Sequence, residues 1–306
     1  MPFARVDQKH LACTDLTRLH AIVELQATAG DDQSNWDRVA MLGHGLARLQ
    51  AQTDHAHGTA VRDLFEAEWT RLVAHLRSCH VNIIHATGIE GARQARGTVV
   101  VIDVLRSFTV SAYALAGGAR ECRLVKTVAE ARALAAQTPD AVLCAEEDAL
   151  PVEGIAISNS PTKILQTELQ DRILIQRSTA GTQVAAAVEK GDMWAASLVV
   201  ARATVQACLL RTPDAITLLA SADHPEDHAC AGYMDAIIRG EEPDLELLLQ
   251  PLRESDRYRK ARSGQWPGFP ATDLDLALQA DRFDFAMPVT REHTDMDGYL
   301  RLTASF

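Results

Sequence analysis

Aromatic residues are scarce: Phe, Trp and Tyr make up 5% of the 306 residues. A core built from this chain is therefore aliphatic, and abundant alanine makes it helix-rich. No run of 18 apolar residues occurs, which argues against a transmembrane helix. The opening MPFARVDQKHLACTD lacks the apolar core of a secretion signal, so the chain is expected in the cytoplasm. Basic residues are outnumbered, 30 Lys and Arg against 41 Asp and Glu, for a formal net charge of -11. That balance argues against nucleic acid and anionic membranes as partners. It leaves room for a small anionic substrate in a locally positive pocket. Cys13, Cys79, Cys122, Cys144, Cys208 and Cys230 form no C-x-x-C pair and read as buried thiols. His224 and His228 have the spacing of a zinc site, but Pro225 takes His224 out of helical geometry. No Glu follows His224, so H-E-x-x-H is not met. His55 and His57 lie in the polar turn QTDHAHGT and read as solvated.

What is present is a globular composition, 47% hydrophobic and 23% charged. Residues 1 to 80 show apolar positions at three- and four-residue spacing, as in AVRDLFEAEWTRLVAHLRS, and are expected to be helical. From residue 81 the texture changes. Candidate strands Val81 to His85, Thr98 to Ile102, Glu121 to Val125, Ala141 to Cys144, Arg172 to Gln176, Met193 to Leu198 and Ala215 to Ala220 alternate with helical patterns. RFDFAMPVT reads as a last strand, and 240 to 286 as two helices joined by an irregular loop. The expected fold is α/β: a mostly parallel or mixed sheet with helices on both faces, plus an N-terminal helical extension. The expected domains are 1 to 80 and 81 to 306.

Polar residues collect where these strands stop. The β-branched run before Asp103 reads as a strand covered on both faces, and Arg106, Ser107 and Thr109 follow it. CAEED, with Glu146, follows Cys144, and Asn159-Ser160-Pro161 looks like a helix start with Ser160 as cap. Ser178, Thr179, Gly181 and Thr182 put hydroxyls and N–H groups at another helix start, and Glu226 and Asp227 open a third after Pro225. Each cluster alone is ordinary capping chemistry. Together, outside the carboxyl ends of successive strands, they suggest one shared site for Mg²⁺ and a phosphate.

The ordered set VVVIDVLRSFTV…LAGGA, EGIAISNSPTKI, STAGT and EDHACAG resembles the 2-phosphosulfolactate phosphatase family over residues 81 to 306. The resemblance implies a Mg²⁺-dependent enzyme releasing phosphate from 2-phospho-3-sulfolactate. With it, Asp103, Arg106, Glu146 and Asp227 become the candidate catalytic residues. Asp103, Glu146, Glu226 and Asp227 would hold the metal. Ser107, Asn159, Ser160, Ser178, Thr179, Gly181 and Thr182 would bind substrate, and Arg106 would face the phosphoryl oxygens. The attacking group stays open between water and Asp103.

The polar site departs from the family's pattern at four places: Glu147 for a basic residue, Ala156 for Asp, Ala180 for Asn and Val200 for Asn. Glu147 facing inward would repel a polyanion, whereas facing outward it would be harmless. Three readings follow: a Mg²⁺-dependent phosphatase acting on a small anionic phosphate; a catalytically degenerate binding or regulatory protein on the same fold; and an enzyme with a changed substrate. A homo-oligomer is left open.

Overall fold

The computed structural model describes residues 81–306 apart from 212 and 293–297. The chain divides between His80 and Val81. The helices expected before residue 80, with His55, His57, Cys13 and Cys79, lie outside the described residues.

The strands are β1 (Asn82–Thr87), β2 (Thr98–Ile102), β3 (Glu121–Leu124), β4 (Ala141–Glu147), β5 (Leu150–Pro151), β6 (Ile173–Arg177), β7 (Met193–Ala196), β8 (Ala215–Ala220), β9 (Met287–Glu292) and β10 (Tyr299–Leu302). The helices are α1 (Gly88–Gln94), α2 (Ser107–Ala116), α3 (Val128–Gln137), α4 (Pro161–Ile164), α5 (Gly181–Ala187), α6 (Ala201–Leu210), α7 (Pro225–Ile238), α8 (Leu245–Glu254), α9 (Asp256–Arg262) and α10 (Ala271–Ala277). None of the described helices is long and apolar enough to cross a membrane.

Local signals account for several of these elements. All five residues of β2 are buried although successive side chains point to opposite faces, so both faces of the sheet are covered. Thr127 and Glu130 form a reciprocal capping box at the start of α3. Ser160 caps α4 with Pro161 in its first turn, as the sequence implies. α2 begins at Ser107, whose N–H donates to the Asp103 carboxylate (2.9 Å). Ser107 to Leu115 are all buried, so this helix is enclosed on every side. The stretch 240 to 286 carries three helices rather than two, since Ser255 ends α8 and caps α9 through Tyr258 N–H.

The ten strands form one mixed sheet in the order β1-β8-β2-β7-β9-β10-β3-β6-β4-β5. β1, β8, β2 and β7 are parallel, and so are β3, β6 and β4. Between the two sections sits the antiparallel pair β9 and β10, antiparallel to β7 on one side and to β3 on the other. β10, four residues long, has no counterpart among the strands expected from sequence.

Three antiparallel steps reverse the second section relative to the first. On a flat sheet their carboxyl ends would lie at opposite edges, with β2 and β6 about 24 Å apart at ~4.8 Å per step. Yet Ser107, after β2, and Ser178, after β6, hydrogen-bond at 3.1 Å. Twist supplies the reason: about 20–25° per strand over these steps turns the second section through roughly 110°. The sheet therefore coils, and both sets of carboxyl ends converge. The main apolar core joins β2, α2, β3, β6 and β10 through residues such as Val99, Val101, Phe108, Leu124, Leu174 and Leu302. Cys122, Cys144, Cys208 and Cys230 are free and buried, as read from sequence.

All ten described strands come from after residue 80. A chain starting at Val81 is expected to be soluble and to melt in one cooperative transition by circular dichroism. Recovery only as unfolded aggregate would show that residues 1–80 complete its core.

Candidate active site

Asp103 follows β2 directly and is buried, with its N–H bonded to Ala196 O at the end of β7 (3.1 Å). Its Oδ1 accepts the Ser107 N–H, and Oδ2 lies against Gly181, where a Cβ would stand 2.6 Å away. Any side chain at 181 would force α5 off this carboxylate, so Gly181 sets the close approach of the two sheet sections. Asp227, in the first turn of α7, bridges back to the same turn. Its Oδ1 accepts the Val104 N–H (2.8 Å) and its Oδ2 the Ser221 hydroxyl (2.9 Å). Glu226 beside it is fully buried, its Oε1 accepts Arg257 Nε–H (2.5 Å), and its Oε2 has no partner.

Burial pushes the Asp103 carboxyl up from 3.8 to about 6, helped by the nearby charges of Glu146 and Glu226 and opposed by the Ser107 N–H and Arg257. Burial also raises Asp227 well above the usual carboxylate range, with Asp103 and Glu226 adding repulsion. His224, half-buried beside Glu226, is shifted downward, first by burial and then by the Arg257 charge. His228 instead pairs with Asp223 (2.8 Å), so the two histidines have different partners.

From the second section come the hydroxyls. Ser178 Oγ meets Ser107 Oγ and accepts the Thr182 N–H (3.1 Å), while Thr182 Oγ1 donates to Ser178 O (2.7 Å). Glu146 clamps this turn. Its Oε1 accepts the Thr179 N–H (2.6 Å), and its Oε2 accepts the Thr179 hydroxyl (3.0 Å) and the Ala149 N–H (2.6 Å). Both Glu146 oxygens are thus engaged by protein donors.

Arg106, Asn159 and Ser160 are held in the surrounding scaffold. Buried Arg106 donates Nη1 to Asp273 Oδ2 and to Gly268 O (both 2.7 Å) and lies 4.2 Å over the Phe269 ring. Asp273, fully buried on α10, also accepts the Ser160 hydroxyl (2.7 Å) and the Thr162 N–H (3.0 Å). Asn159 accepts Gln176 Nε2–H (2.7 Å), and Gln176 also donates to Ser107 O (2.8 Å). Sequence reasoning passed over Asp273, Gln176 and Arg257. Asp273 shows only as an acidic residue in a helix's first turn, and Arg257 only as one of a basic run.

Of the four departures, Glu147 faces outward with a 58% exposed side chain, and Arg177 lies 3.9 Å from it. Arg177 donates to Glu146 O and to the Thr179 hydroxyl, so a guanidinium from β6 occupies this corner. Ala156 is exposed, Ala180 caps α5 without a side-chain bond, and Val200 is buried at the start of α6.

The model of the 2-phosphosulpholactate phosphatase family matches residues 84–262. The chain belongs to this family. It is 31% identical over 198 residues to a Bacillus subtilis protein named "Probable 2-phosphosulfolactate phosphatase", covering 63% of this chain and 87% of that one. A Clostridium novyi protein of the same name is 29% identical, over 53% of this chain and 72% of its own length. One from Thermoplasma volcanium is 26% identical, over 60% of this chain and 85% of its own. The family match runs from within β1 to the end of α9, so it includes Asp103, Glu146, Ser178, Asp227 and Arg257 but stops short of Asp273.

Among the described residues, no three His, Cys, Asp or Glu side chains are arranged to hold a metal by themselves. Mg²⁺ rarely uses such a cage; it takes one or two carboxylates, waters and substrate phosphate oxygens. The unpartnered Glu226 Oε2 and the mutual repulsion of Asp103, Glu226 and Asp227 fit such a cation.

Asp273→Ala is expected to cost about 3–5 kcal/mol, because it strands the Arg106 guanidinium in the interior. Urea denaturation reads the loss. A change below about 1 kcal/mol would mean that Arg106 finds other partners or water.

Proposed function

We propose that this protein hydrolyses a small organic phosphate monoester resembling 2-phosphosulfolactate, with Mg²⁺ as cofactor. The observation that carries the reading is the buried carboxylate group Asp103, Glu226 and Asp227, one oxygen of it unpartnered, beside the Ser107–Ser178–Thr182 hydroxyls. Family membership supplies the reaction type.

Asp103 and Glu226 would hold the cation, which would neutralise phosphoryl charge and polarise the ester. Asp227 keeps the β2 turn in place by accepting the Val104 N–H. The Ser178 and Thr182 hydroxyls and the N–H groups of their turn offer donors to phosphoryl oxygens, and Glu146 keeps Thr179 from leaving that turn. Asp103, whose carboxyl burial lifts to about 6, would be held ionised by the cation it binds, so the proton taken by the departing alkoxide oxygen would come from water. Water supplies the atoms of the balance: the ester P–O bond breaks, and alcohol and phosphate leave. Phosphoryl transfer asks chiefly for positioning and charge neutralisation, which this inventory provides.

The direct test is phosphate release from a phosphomonoester panel that includes 2-phosphosulfolactate, with Mg²⁺ and with EDTA. Mg²⁺-dependent turnover supports the reading. Tight binding of a phosphate ester without turnover would instead favour a binding protein on this fold.

Asp103→Asn is expected to abolish Mg²⁺-dependent turnover with the fold retained. Its stability effect has a fixed sign. A carboxyl raised from 3.8 to about 6 favours the folded state below pH 4, and that advantage is lost as pH rises through 6. Above pH 7 the buried charge costs on the order of 2–3 kcal/mol, since each tenfold change in proton affinity is worth about 1.4 kcal/mol. Metal-free Asp103→Asn should therefore be more stable than wild type at pH 7.5 and equal to it at pH 4, by urea denaturation at both. Equal stability at both would remove the buried charge from the account.

A further inference from the structure

α9 carries four basic residues, Arg257, Arg259, Lys260 and Arg262, in a protein of net charge -11. Arg259 pairs with Asp256 and Arg262 with Asp275, so these two are neutralised on the surface. Arg257 and Lys260 are spaced three apart, on one face of the helix, and both stand against Trp266. The Arg257 guanidinium lies 5.4 Å and the Lys260 ammonium 4.3 Å from that ring's centroid. Lys260 has no carboxylate within ion-pair distance among the described residues.

Arg257 spans inside and outside. It donates Nε–H to Glu226 Oε1 (2.5 Å) and Nη2–H to Leu105 O (3.2 Å), in the turn that follows Asp103. Its side chain remains 21% exposed. These bonds use two of the five guanidinium donors. Trp266 in turn stacks on Phe269 (5.1 Å, 15°), whose ring carries Arg106. A fixed aromatic wall therefore orients Arg257 and backs Lys260. Arg106, by contrast, is committed to Asp273.

We propose that Arg257, assisted by Lys260, forms a specificity subsite for a second anionic group of the substrate, a carboxylate or sulfonate next to the phosphate ester. The inference rests on the phosphomonoester reading above. The carboxylates around Asp103 take the cation and phosphoryl end, and the two cations at the Trp266 wall attract an acid group one or two bonds away. A neutral group there leaves surplus positive charge unmatched, so the subsite selects by charge.

The test compares 2-phosphoglycerate with glycerol 2-phosphate, which differ by a carboxylate in place of a hydroxymethyl group. The full chain is assayed with Mg²⁺ for kcat/KM, and binding of both compounds is measured by calorimetry. Wild type is expected to prefer the acid. Arg257→Gln should cut that preference about tenfold, mainly through KM, as expected for loss of a charge-assisted contact. Arg257→Lys should keep part of it, and Lys260→Gln, at an exposed position that leaves folding intact, should reduce it about two- to threefold. If Arg257→Gln weakens both compounds equally, Arg257 serves only Glu226 and the subsite is overturned. An unchanged preference in Lys260→Gln together with one in Arg257→Gln overturns it as well. If wild type turns over neither compound yet binds the acid better, and Arg257→Gln loses that preference, the subsite stands and the phosphatase reading falls.

Discussion

Asp103, Glu146, Glu226 and Asp227 are all buried, and buried carboxylates must find donors or a cation. Much of the architecture follows from how each one does so. Asp227 takes a backbone N–H from Val104 and thereby ties α7 to the end of β2. Glu146 takes two backbone N–H groups and a hydroxyl, tying the end of β4 to the turn after β6. Asp103 starts α2 through the Ser107 N–H. Glu226 takes Arg257 and keeps one oxygen in reserve. Three of the four thus bind distant segments together while remaining next to one another. The same burial that makes them costly as charges is what suits them to a hard cation and a phosphoryl group.

These carboxylates meet because the sheet coils. A parallel section that ends in Asp103 and another that ends in Ser178 run in opposed directions across the β9–β10 pair, and twist brings their ends together. Gly181 is the point of closest approach, where even a methyl group would collide with Asp103 and Ser107. The short pair β9 and β10, late in the chain, is thus as important to the site as the strands that carry its residues.

Positive charge is partitioned with equal care. Arg106 is withdrawn to Asp273 and stacked on Phe269. Arg177 fills the corner near the outward-facing Glu147. Arg257 contacts the buried Glu226 carboxylate and the Asp103 turn at once. An acidic chain in this way keeps positive charge beside its buried carboxylates without adding basic residues overall.

The α/β alternation, the β2 run ending in Asp103 and the Ser160–Pro161 helix start are local, and each was legible in the sequence because a few neighbouring residues specify it. So was the gathering of polar residues at strand ends. The partners of those residues were not legible. Arg106 to Asp273 spans 167 positions and Val104 to Asp227 spans 123, and no spacing rule links residues so far apart. Whether Glu147 faces in or out, which arginine reaches the site, and where the four-residue β10 inserts depend on how the sheet coils. Those choices belong to the tertiary structure, because pairing of buried charges is decided by proximity in space and desolvation, not by order along the chain.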